Sequence, residues 1–347
     1  MDHQLGLFSE DALPAPPPGV APADVPTRLR DVAARLPRSL RLGTSSWSFP
    51  GWEGVVYDRH ASQATLAREG LAAYAAHPLL RTVGIDRTYY RPIPADEFRG
   101  YADSVPADFR FLVKADRLLT SPIDPEAYGV RTSNPLFLDA AYARDEVVGP
   151  LVEGLGDKAG PLVFQFSPIP PNLVGGRARF LDRLARFLEA LPGGPLYAVE
   201  LRTPAFLTRQ YADLLDATRA AHCYTIHPAM TTLDRQLALL QPFYQRALVL
   251  RWTLHGGLAY EVAKDRYAPF DRLVDEDPRS REWIAVAALD ALLGERDVFV
   301  IANNKAEGSA PLTIFRLAER VAEWGDVEVG PRRVASRISK SGSNGAP

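Results

Sequence analysis

The sequence predicts an α/β fold built as a single (β/α)8 barrel, the TIM-barrel architecture, with long βα loops and disordered termini. Eight short apolar runs alternate with amphipathic helical patterns over residues 40–324, and parallel strands need such crossover helices. The length left after the terminal segments matches a barrel of about 250 residues with insertions. No strand-like run is followed by a glycine-rich dinucleotide fingerprint, which disfavours an open doubly wound sheet, the main alternative.

Composition divides the chain into three segments. Residues 1–38 are rich in proline and poor in apolar residues, so we predict a disordered tail with a short helix near residues 27–36. Residues 39–326 form the predicted barrel domain. Residues 327–347 combine basic residues with serine and glycine, which predicts a flexible basic tail.

Apolar periodicity places the individual elements. Strands are predicted at 40–45, 81–88, 109–114, 162–167, 196–202, 223–227, 248–253 and 298–303. Helices are predicted at 63–76, 136–155, 179–191, 207–220, 233–245, 280–293 and 312–324. Two connections, 116–135 and 255–278, are longer than is common and leave the carboxyl ends of the third and seventh strands.

Composition also limits the class of protein. The 347 residues carry a formal net charge of −2 and one cysteine, Cys223, which excludes an internal disulfide bond and a cysteine-based zinc cage. The sequence shows neither an apolar run long enough to span a bilayer nor a secretory leader, so we expect a cytoplasmic protein with no membrane partner. The net charge gives no support to bulk electrostatic binding of nucleic acid.

The strand at 196–202 contains the first indication of a functional site. Because side chains alternate along a strand, Ala198, Glu200 and Arg202 share one face, and Val199 and Leu201 share the other. A charged pair on the inner face of an apolar strand is costly unless it is paired or meets a ligand. We interpret this pair as the polar floor of a site.

The other predicted strands also carry a polar side chain near their carboxyl ends, where barrel enzymes build their sites. A satisfied rim residue is the alternative for any one of them, but together they predict a ligand site. The predicted members are Ser45, Asp86, Lys114, Gln165, Glu200, Arg202, His227, Arg251, Asn303 and Asn304.

The charge balance of this set predicts the type of ligand. Lys114, Arg202 and Arg251 outnumber Asp86 and Glu200 by one, and a buried cation must be matched. We therefore expect an anionic ligand, a phosphate or a carboxylate, which the arginine fork binds at two oxygens. The turn 308–311, which opens the last helix, is a further candidate for phosphate binding, with a simple turn as the alternative.

Acid–base chemistry needs a proton acceptor and a donor within reach of the ligand. Glu200 is the predicted base, and His255, His227 or Lys114 the predicted acid. Aromatic residues follow the first two strands, and stacking on a base or sugar ring is one role for them, while packing of loops over the barrel mouth is favoured for most. They are Trp47, Phe49, Trp52, Tyr89 and Tyr90, of which Trp47 and Tyr90 are taken as candidate ligand-binding residues.

A metal site is the weaker alternative. His227, His255, Asp86 and Glu200 are ligand types suited to zinc or manganese. Three nearby cations would repel such an ion, so we predict no cofactor and keep a divalent metal as the less favoured alternative.

The chain from Leu40 to about Ala322 resembles the YecE-like family, also called domain of unknown function 72. The resemblance rests on LGTSSW at 42–47, TYYR at 88–91, FLVKA at 111–115, FQF at 164–166, VELR at 199–202, Arg251 with His255-Gly256, and Asn303-Asn304. It implies a TIM-barrel fold and no settled biochemical activity. The likeness of such barrels to endonuclease IV and sugar-isomerase barrels implies nucleic-acid binding or a metal-dependent hydrolase or isomerase by analogy of fold alone.

This sequence departs from the family pattern at several polar positions. Gly84 stands where relatives have glutamate, and Ser121 and Thr203 stand where they have histidine. His227 stands where many have aspartate. These changes weaken any metal assignment carried over from the resemblance, and they raise the prospect of an altered family activity.

The sequence therefore favours a barrel that binds an anionic small molecule or nucleic acid at the carboxyl ends of its strands, with acid–base catalysis open. A non-catalytic module that binds nucleic acid or protein is the second hypothesis, and a metal-dependent hydrolase or isomerase is the third. The reaction and the substrate stay open.

Overall fold

Eight parallel strands form a closed barrel, which confirms the predicted (β/α)8 fold. The structure, a computed structural model, describes residues 19–125, 127, 132–240 and 245–325. Residues 1–18 of the predicted N-terminal tail, and the whole predicted tail 327–347, lie outside the described residues.

The strands pair in chain order. They are β1 (Leu40–Thr44), β2 (Thr82–Ile85), β3 (Arg110–Lys114), β4 (Ala159–Phe166), β5 (Leu196–Leu201), β6 (Ala221–Ile226), β7 (Ala247–Trp252) and β8 (Asp297–Ala302). The barrel closes where β8 pairs with β1, in a register that runs from Leu40 opposite Val298 to Thr44 opposite Ala302.

Helices cover the outside of the barrel and join successive strands. They are α1 (Thr27–Arg35), α2 (Gln63–Ala75), α3 (Ala95–Asp103), α4 (Arg117–Thr120), α5 (Ala140–Tyr142), α6 (Gly149–Leu155), α7 (Arg177–Glu189), α8 (Arg209–Thr218), α9 (Leu233–Leu240), α10 (Tyr260–Tyr267), α11 (Pro278–Leu293) and α12 (Ala310–Gly325). No described helix combines the length and the apolar content that crossing a membrane would require.

Periodicity located the strands to within a few residues but missed α3, α4 and α10. The reason is sparse burial: α3 buries only Phe98 and Ala102, and α10 buries only Ala263 and Tyr267. Too few apolar positions remain to show a helical repeat. The single helix predicted over 136–155 is divided into α5, a π-helical segment at Ala143–Val148, and α6.

The short helix predicted near residues 27–36 is present as α1, and it packs on the barrel instead of lying in a disordered tail. Leu29, Val32 and Ala33 are buried, and Nη2 of Arg35 donates to the carbonyl oxygen of Ala322 on α12 at 2.9 Å.

Alternation along the strands separates two cores. The larger core lies between the strands and the helices and includes Phe164 and Leu184. The barrel interior is apolar and contains Leu112, Val163, Ala198, Ala221, Cys223, Ala247, Val249, Phe299 and Ile301. The next inward-facing positions, towards the carboxyl ends of the strands, are polar, and they form the candidate site.

Candidate functional site

The predicted polar residues lie directly above the apolar interior. Glu200 follows Ala198 by two positions on β5, and Lys114 follows Leu112 by two positions on β3, so each shares the face of an interior residue. Arg251 follows the interior residue Val249 by two positions on β7, so it also faces the interior. The predicted orientation of the 198, 200 and 202 positions therefore agrees with the structure.

Five charged residues meet at this level and are called the charged cluster: Asp86, Lys114, Glu200, Arg202 and Arg251. Nη1 of Arg251 donates to Oε2 of Glu200 at 2.7 Å. Nη2 of Arg251 donates to both carboxylate oxygens of Asp86, at 3.2 and 3.1 Å. Nη1 also lies 3.5 Å from Oε1 of Gln165, so one guanidinium contacts side chains from the ends of three other strands.

Glu200 is fully buried, and both of its oxygens are occupied. Oε1 accepts from Nε of Arg202 at 2.9 Å and lies 2.8 Å from Nη2 of the same residue, while Oε2 accepts from Arg251. Burial would raise the pKa of Glu200, but the two arginines lower the pKa to about 2. These contacts do not fit the base role expected from the sequence, and they give Glu200 the role of holding two guanidinium groups in place.

Lys114 differs from the other members of the charged cluster. Its side chain is buried at the end of β3, and burial lowers the pKa of its ammonium group to about 8, partly opposed by the attraction of Asp86. Nζ lies 3.5 Å from the centroid of the Tyr89 ring, a cation–π geometry. Within the described residues, Nζ of Lys114 makes no hydrogen bond.

The charged cluster holds three cations and two carboxylates, as the sequence predicted. Arg202 is the partly exposed arginine of the charged cluster, with 16% of its side chain exposed. Its Nε and Nη2 contact Glu200, and its Nη1 has no acceptor in the described part of the chain. Arg251, in contrast, is engaged on both terminal nitrogens, and Asp86 and Glu200 raise its pKa against the effect of burial. The charged cluster therefore has a net charge of +1, and Nη1 of Arg202 and Nζ of Lys114 have no acceptor among the described residues.

His227 lies beside Arg202 at the end of β6. Its Nδ1 accepts a hydrogen bond from the backbone N–H of Ala229 at 3.0 Å. Burial, assisted by the positive charge of Arg202, lowers the pKa of His227 to about 4. The imidazole is therefore neutral at pH 7 with its proton on Nε2, where it serves as a hydrogen-bond donor.

A second polar group lies at the junction of β8 and β1. Nδ2 of Asn303 donates to Oγ of Ser45 at 2.8 Å, and Oδ1 of Asn303 lies 3.4 Å from Nζ of Lys305. The Lys305 ammonium also lies 4.3 Å from the ring centroid of Tyr260 on α10. This group adds another cation to the same end of the barrel.

The structure assigns packing roles to two of the predicted ligand-binding residues. Trp47 is buried, donates from Nε1 to the carbonyl oxygen of Ala67 at 3.3 Å, and packs edge-on against Tyr101. Asn304 is buried, and its Oδ1 accepts from the indole of Trp52 and from the N–H of Ala310. Polar and aromatic strand ends were predicted to face the ligand, but these two face the helices.

Two other predicted residues stand apart from the charged cluster. His255 accepts from the N–H of Gly257 at 3.4 Å and has no contact with the charged cluster within the described residues. Tyr90 is 67% exposed and touches only the edge of Tyr89 among the described aromatic rings. The acid role predicted for His255 gains no support from this geometry.

The predicted phosphate site at the turn 308–311 is closed. Oδ1 of Asn304 caps the N–H of Ala310 at 2.8 Å, and Ser309 and Ala310 are fully buried or nearly so. A Cβ added at Gly308, whose φ is +121°, would lie 2.5 Å from the carbonyl oxygen of Arg272. The glycine therefore permits close packing of two loops, and the N–H of Ala310 already has an acceptor.

The sequence placed Tyr89 among the aromatic residues at this end of the barrel without predicting its contact with Lys114, and it did not assign Lys305 to the site. Tyr89 ends a short 3-10 turn at Arg87–Tyr89, and Lys305 follows the end of β8 through a turn in which its N–H donates to Oδ1 of Asn303. Strand alternation does not extend into such turns. The sequence did contain a signal for these positions. It has only five lysines, and two of them lie at strand ends: Lys114 is the last residue of β3, and Lys305 follows β8.

The contacts of the two carboxylates also bear on metal binding. The guanidinium of Arg251 lies between Asp86 and Glu200, so both are already bound to a cation. No group of three or more histidine, cysteine or acidic residues suited to a metal is present in the described part of the chain. At Gly84 an added Cβ would lie 3.0 Å from the carbonyl oxygen of Ser45. The absence of a cofactor stays a prediction.

A closed barrel of eight parallel strands with a buried, cation-rich polar site at their carboxyl ends defines a TIM-barrel protein. A family model described as "Protein of unknown function DUF72" matches residues 41–335. The chain therefore belongs to this family, and the resemblance inferred from the sequence motifs is confirmed.

Solved structures agree on the fold. A DUF72 family protein of Enterococcus faecalis V583 is 17% identical, with 81% of this chain and 95% of that chain covered at a TM-score of 0.53. A DUF72 family protein of Thermotoga maritima MSB8 is also 17% identical, with 81% and 98% covered at a TM-score of 0.52. None of the curated proteins compared with this chain matches it.

Proposed function

We propose that this chain binds a small ligand carrying a phosphate or carboxylate group in the charged cluster. The observation that carries the proposal is the net charge of +1 in the charged cluster, in which Nη1 of Arg202 and Nζ of Lys114 have no acceptor among the described residues. Leaving a buried or half-buried cation without an anion costs several kcal/mol. A bound anion removes that cost.

The charged cluster divides into a fixed floor and a ligand-facing part. Arg251, Glu200 and Asp86 form the floor, because each has its charge matched by direct ion pairs. Arg202 is held by Glu200 through Nε and Nη2, which leaves Nη1 for a ligand oxygen. Lys114 supplies a second donor without a protein acceptor. The floor thus orients Arg202 before any ligand arrives.

Lys114 is also the group suited to exchanging a proton near neutral pH. Glu200 stays ionised and His227 stays neutral at pH 7, since their pKa values lie at about 2 and about 4. The pKa of Lys114, about 8, lies close to the operating pH, where an acid–base catalyst works best. If the bound ligand is transformed, Lys114 is the proton carrier that this geometry supports.

The binding proposal is tested with Arg202→Ala and the matched control Arg209→Ala. Arg209 is 80% exposed and pairs with Asp213 on the outer face of α8, away from the site. Inorganic phosphate, and in parallel a panel of phosphorylated and carboxylated metabolites, is added to each variant in a thermal-shift assay. We expect the wild type and Arg209→Ala to be stabilised equally and Arg202→Ala to lose the shift. An equal shift in all three proteins would place anion binding elsewhere.

Single-stranded nucleic acid is a second candidate ligand, favoured by exposed rings at the rim. Tyr90 and Tyr260 keep 67% and 56% of their surface exposed, and base stacking on such rings contributes about 1–3 kcal/mol per base. Fluorescence anisotropy with a labelled oligonucleotide at low and high salt tests this candidate. Binding that is absent at low salt, or unchanged in Tyr90→Ala and Tyr260→Ala, would remove it.

A further inference from the structure

We propose that Lys114 is an amine nucleophile, and that its Nζ condenses with the aldehyde or ketone carbon of an anionic ligand to form an imine. This inference rests on the proposed function, since Arg202 is taken to hold the anionic group of the same ligand. It specifies a substrate class, carbonyl compounds that carry a carboxylate or phosphate group.

The position of Lys114 supports a nucleophilic role. Its Nζ makes no hydrogen bond within the described residues, whereas the other lysines described there have oxygen neighbours. Lys158 donates to the carbonyl oxygens of Ala102 and Val105, and Lys264 pairs with Glu261. An amine engaged by an acceptor must break that bond before it attacks a carbonyl. Lys114 has only the face of the Tyr89 ring to leave.

The surroundings of Lys114 maintain a population of the unprotonated, nucleophilic amine. Burial is the main cause that lowers its pKa to about 8, with Arg251 and Arg202 acting in the same direction and Asp86 and Glu200 opposing them. At pH 7 about one molecule in ten then carries the free amine, against about one in 2,500 for an unperturbed lysine. Buried lysines with lowered pKa values are the ones used for imine chemistry.

The reaction balances without any cofactor. The neutral amine attacks the carbonyl carbon to give a carbinolamine, the C–O bond then breaks, and water leaves with the two protons lost from nitrogen. Counted from the ammonium form, R–NH3⁺ and O=CR′2 give R–NH⁺=CR′2 and H2O, with no oxidation or reduction. The iminium keeps the positive charge that Asp86 and Glu200 already face. The charge balance of the charged cluster is therefore unchanged by the condensation.

The anionic group determines which carbonyl compounds react. A carboxylate or phosphate held by Nη1 of Arg202 places the adjoining carbonyl carbon over the charged cluster, and positioning of this kind is a large source of rate enhancement. A neutral aldehyde of the same size lacks this contact. We therefore expect Lys114 to discriminate between glyoxylate and its neutral counterpart glycolaldehyde.

The experiment traps the imine in the full-length chain. The protein is incubated at pH 7 with glyoxylate or with glycolaldehyde in the presence of sodium cyanoborohydride, and the modified lysines are quantified by peptide mass spectrometry. Exposed Lys264 serves as the control within the same chain. With glyoxylate we expect Lys114 to be modified at least about tenfold faster than Lys264, in line with its larger free-amine fraction. With glycolaldehyde, and in Arg202→Ala, we expect that preference to fall.

The outcomes separate the imine from anion binding. If Lys264 is modified first and Lys114 stays unmodified while phosphate still stabilises the wild type but not Arg202→Ala, the imine chemistry is wrong and the binding proposal stands. If phosphate gives no Arg202-dependent shift either, both are wrong. Rapid trapping of Lys114 that is equal for the two aldehydes would support the nucleophile and contradict the anionic substrate class. The comparison of Lys114 with Lys264, and of the two aldehydes, is made in the folded wild-type chain, so no variant of Lys114 is needed.

Discussion

Nη1 of Arg251 and Oε2 of Glu200 lie 2.7 Å apart in an ion pair that is almost completely buried. Removing one partner of such a pair costs about 3–5 kcal/mol, because the other charge is left unpaired where water does not reach it. We therefore expect Arg251→Ala to lower the free energy of unfolding by about 3–5 kcal/mol in urea denaturation.

The exposed pair of Arg209 with Asp213 on α8 is the control for this prediction. Exposed i,i+4 pairs contribute about 0.3–0.5 kcal/mol, so Arg209→Ala should change the unfolding free energy by no more than that. Similar small losses in both variants would show that the charged cluster is open to water and would contradict its description as a buried floor.

A second prediction concerns the stability of the chain in acid. The pKa of Glu200 is about 2 in the folded chain against 4.5 for an unperturbed glutamate, so the folded state binds fewer protons between these values. The stabilisation from the ionised form is fully present above pH 4.5 and is lost as the pH falls towards 2. We expect Glu200→Gln to be less stable than the wild type by roughly 3 kcal/mol at pH 7.

The difference between the wild type and Glu200→Gln should then shrink on acidification, as measured by urea denaturation from pH 7 to pH 3. Glu189 is exposed at the end of α7, and Glu189→Gln should follow the wild type at every pH. A difference between wild type and Glu200→Gln that stays constant across this range would mean that the pKa of Glu200 is the same in the folded and the unfolded chain.

Much of this site could be predicted because strand alternation is a property of the backbone. Once a strand is located, Glu200 and Arg251 must face the interior, since their neighbours two positions earlier are apolar and inward. The charge balance of the charged cluster follows from the same rule. The orientation of Arg202 by Glu200 follows as well, because the two share a face of β5.

The rest could not be predicted because it depends on turns and on packing between distant elements. Tyr89 reaches Lys114 through a 3-10 turn, in which residue spacing no longer indicates a face. Asn304 has the same polar character as Asn303, but its Oδ1 accepts a hydrogen bond from the indole N–H of Trp52, 252 residues earlier in the chain, and its side chain is buried. Only three-dimensional contacts distinguish such a cap from a ligand-binding residue.

A third prediction tests the packing of α1, the short helix that the sequence predicted near residues 27–36. Leu29 is 4% exposed, between the barrel and α12, and truncating a buried leucine costs about 2–5 kcal/mol. We expect Leu29→Ala to lower the unfolding free energy by an amount in this range, and Arg30→Ala, at an exposed position of the same helix, to leave it nearly unchanged. If neither substitution changed the unfolding free energy, residues 27–35 would not be packed on the barrel.

The last prediction concerns the ring that lies beneath Lys114. A cation–π contact favours the charged amine by about 0.5–2 kcal/mol, and 1.36 kcal/mol corresponds to about one pKa unit. Tyr89→Leu keeps apolar cover over the ammonium but removes the π face, so we expect the pKa of Lys114 to fall below its value of about 8. Tyr89→Phe keeps the ring and should leave the pKa of Lys114 close to that of the wild type.

The measurement is a ¹³C NMR titration of the lysine side chains, which is practical because the sequence contains only five lysines. Lys114→Met identifies the resonance of interest by its loss. Tyr90→Leu is the matched control, since its ring contacts Tyr89 and lies 67% exposed. A pKa that rises in Tyr89→Leu would mean that the ring acts mainly by excluding water, because desolvation lowers the pKa of an amine and its loss restores it. The same pKa in Tyr89→Leu and Tyr89→Phe would show that the ring face contributes nothing, and that burial alone sets the protonation of Lys114.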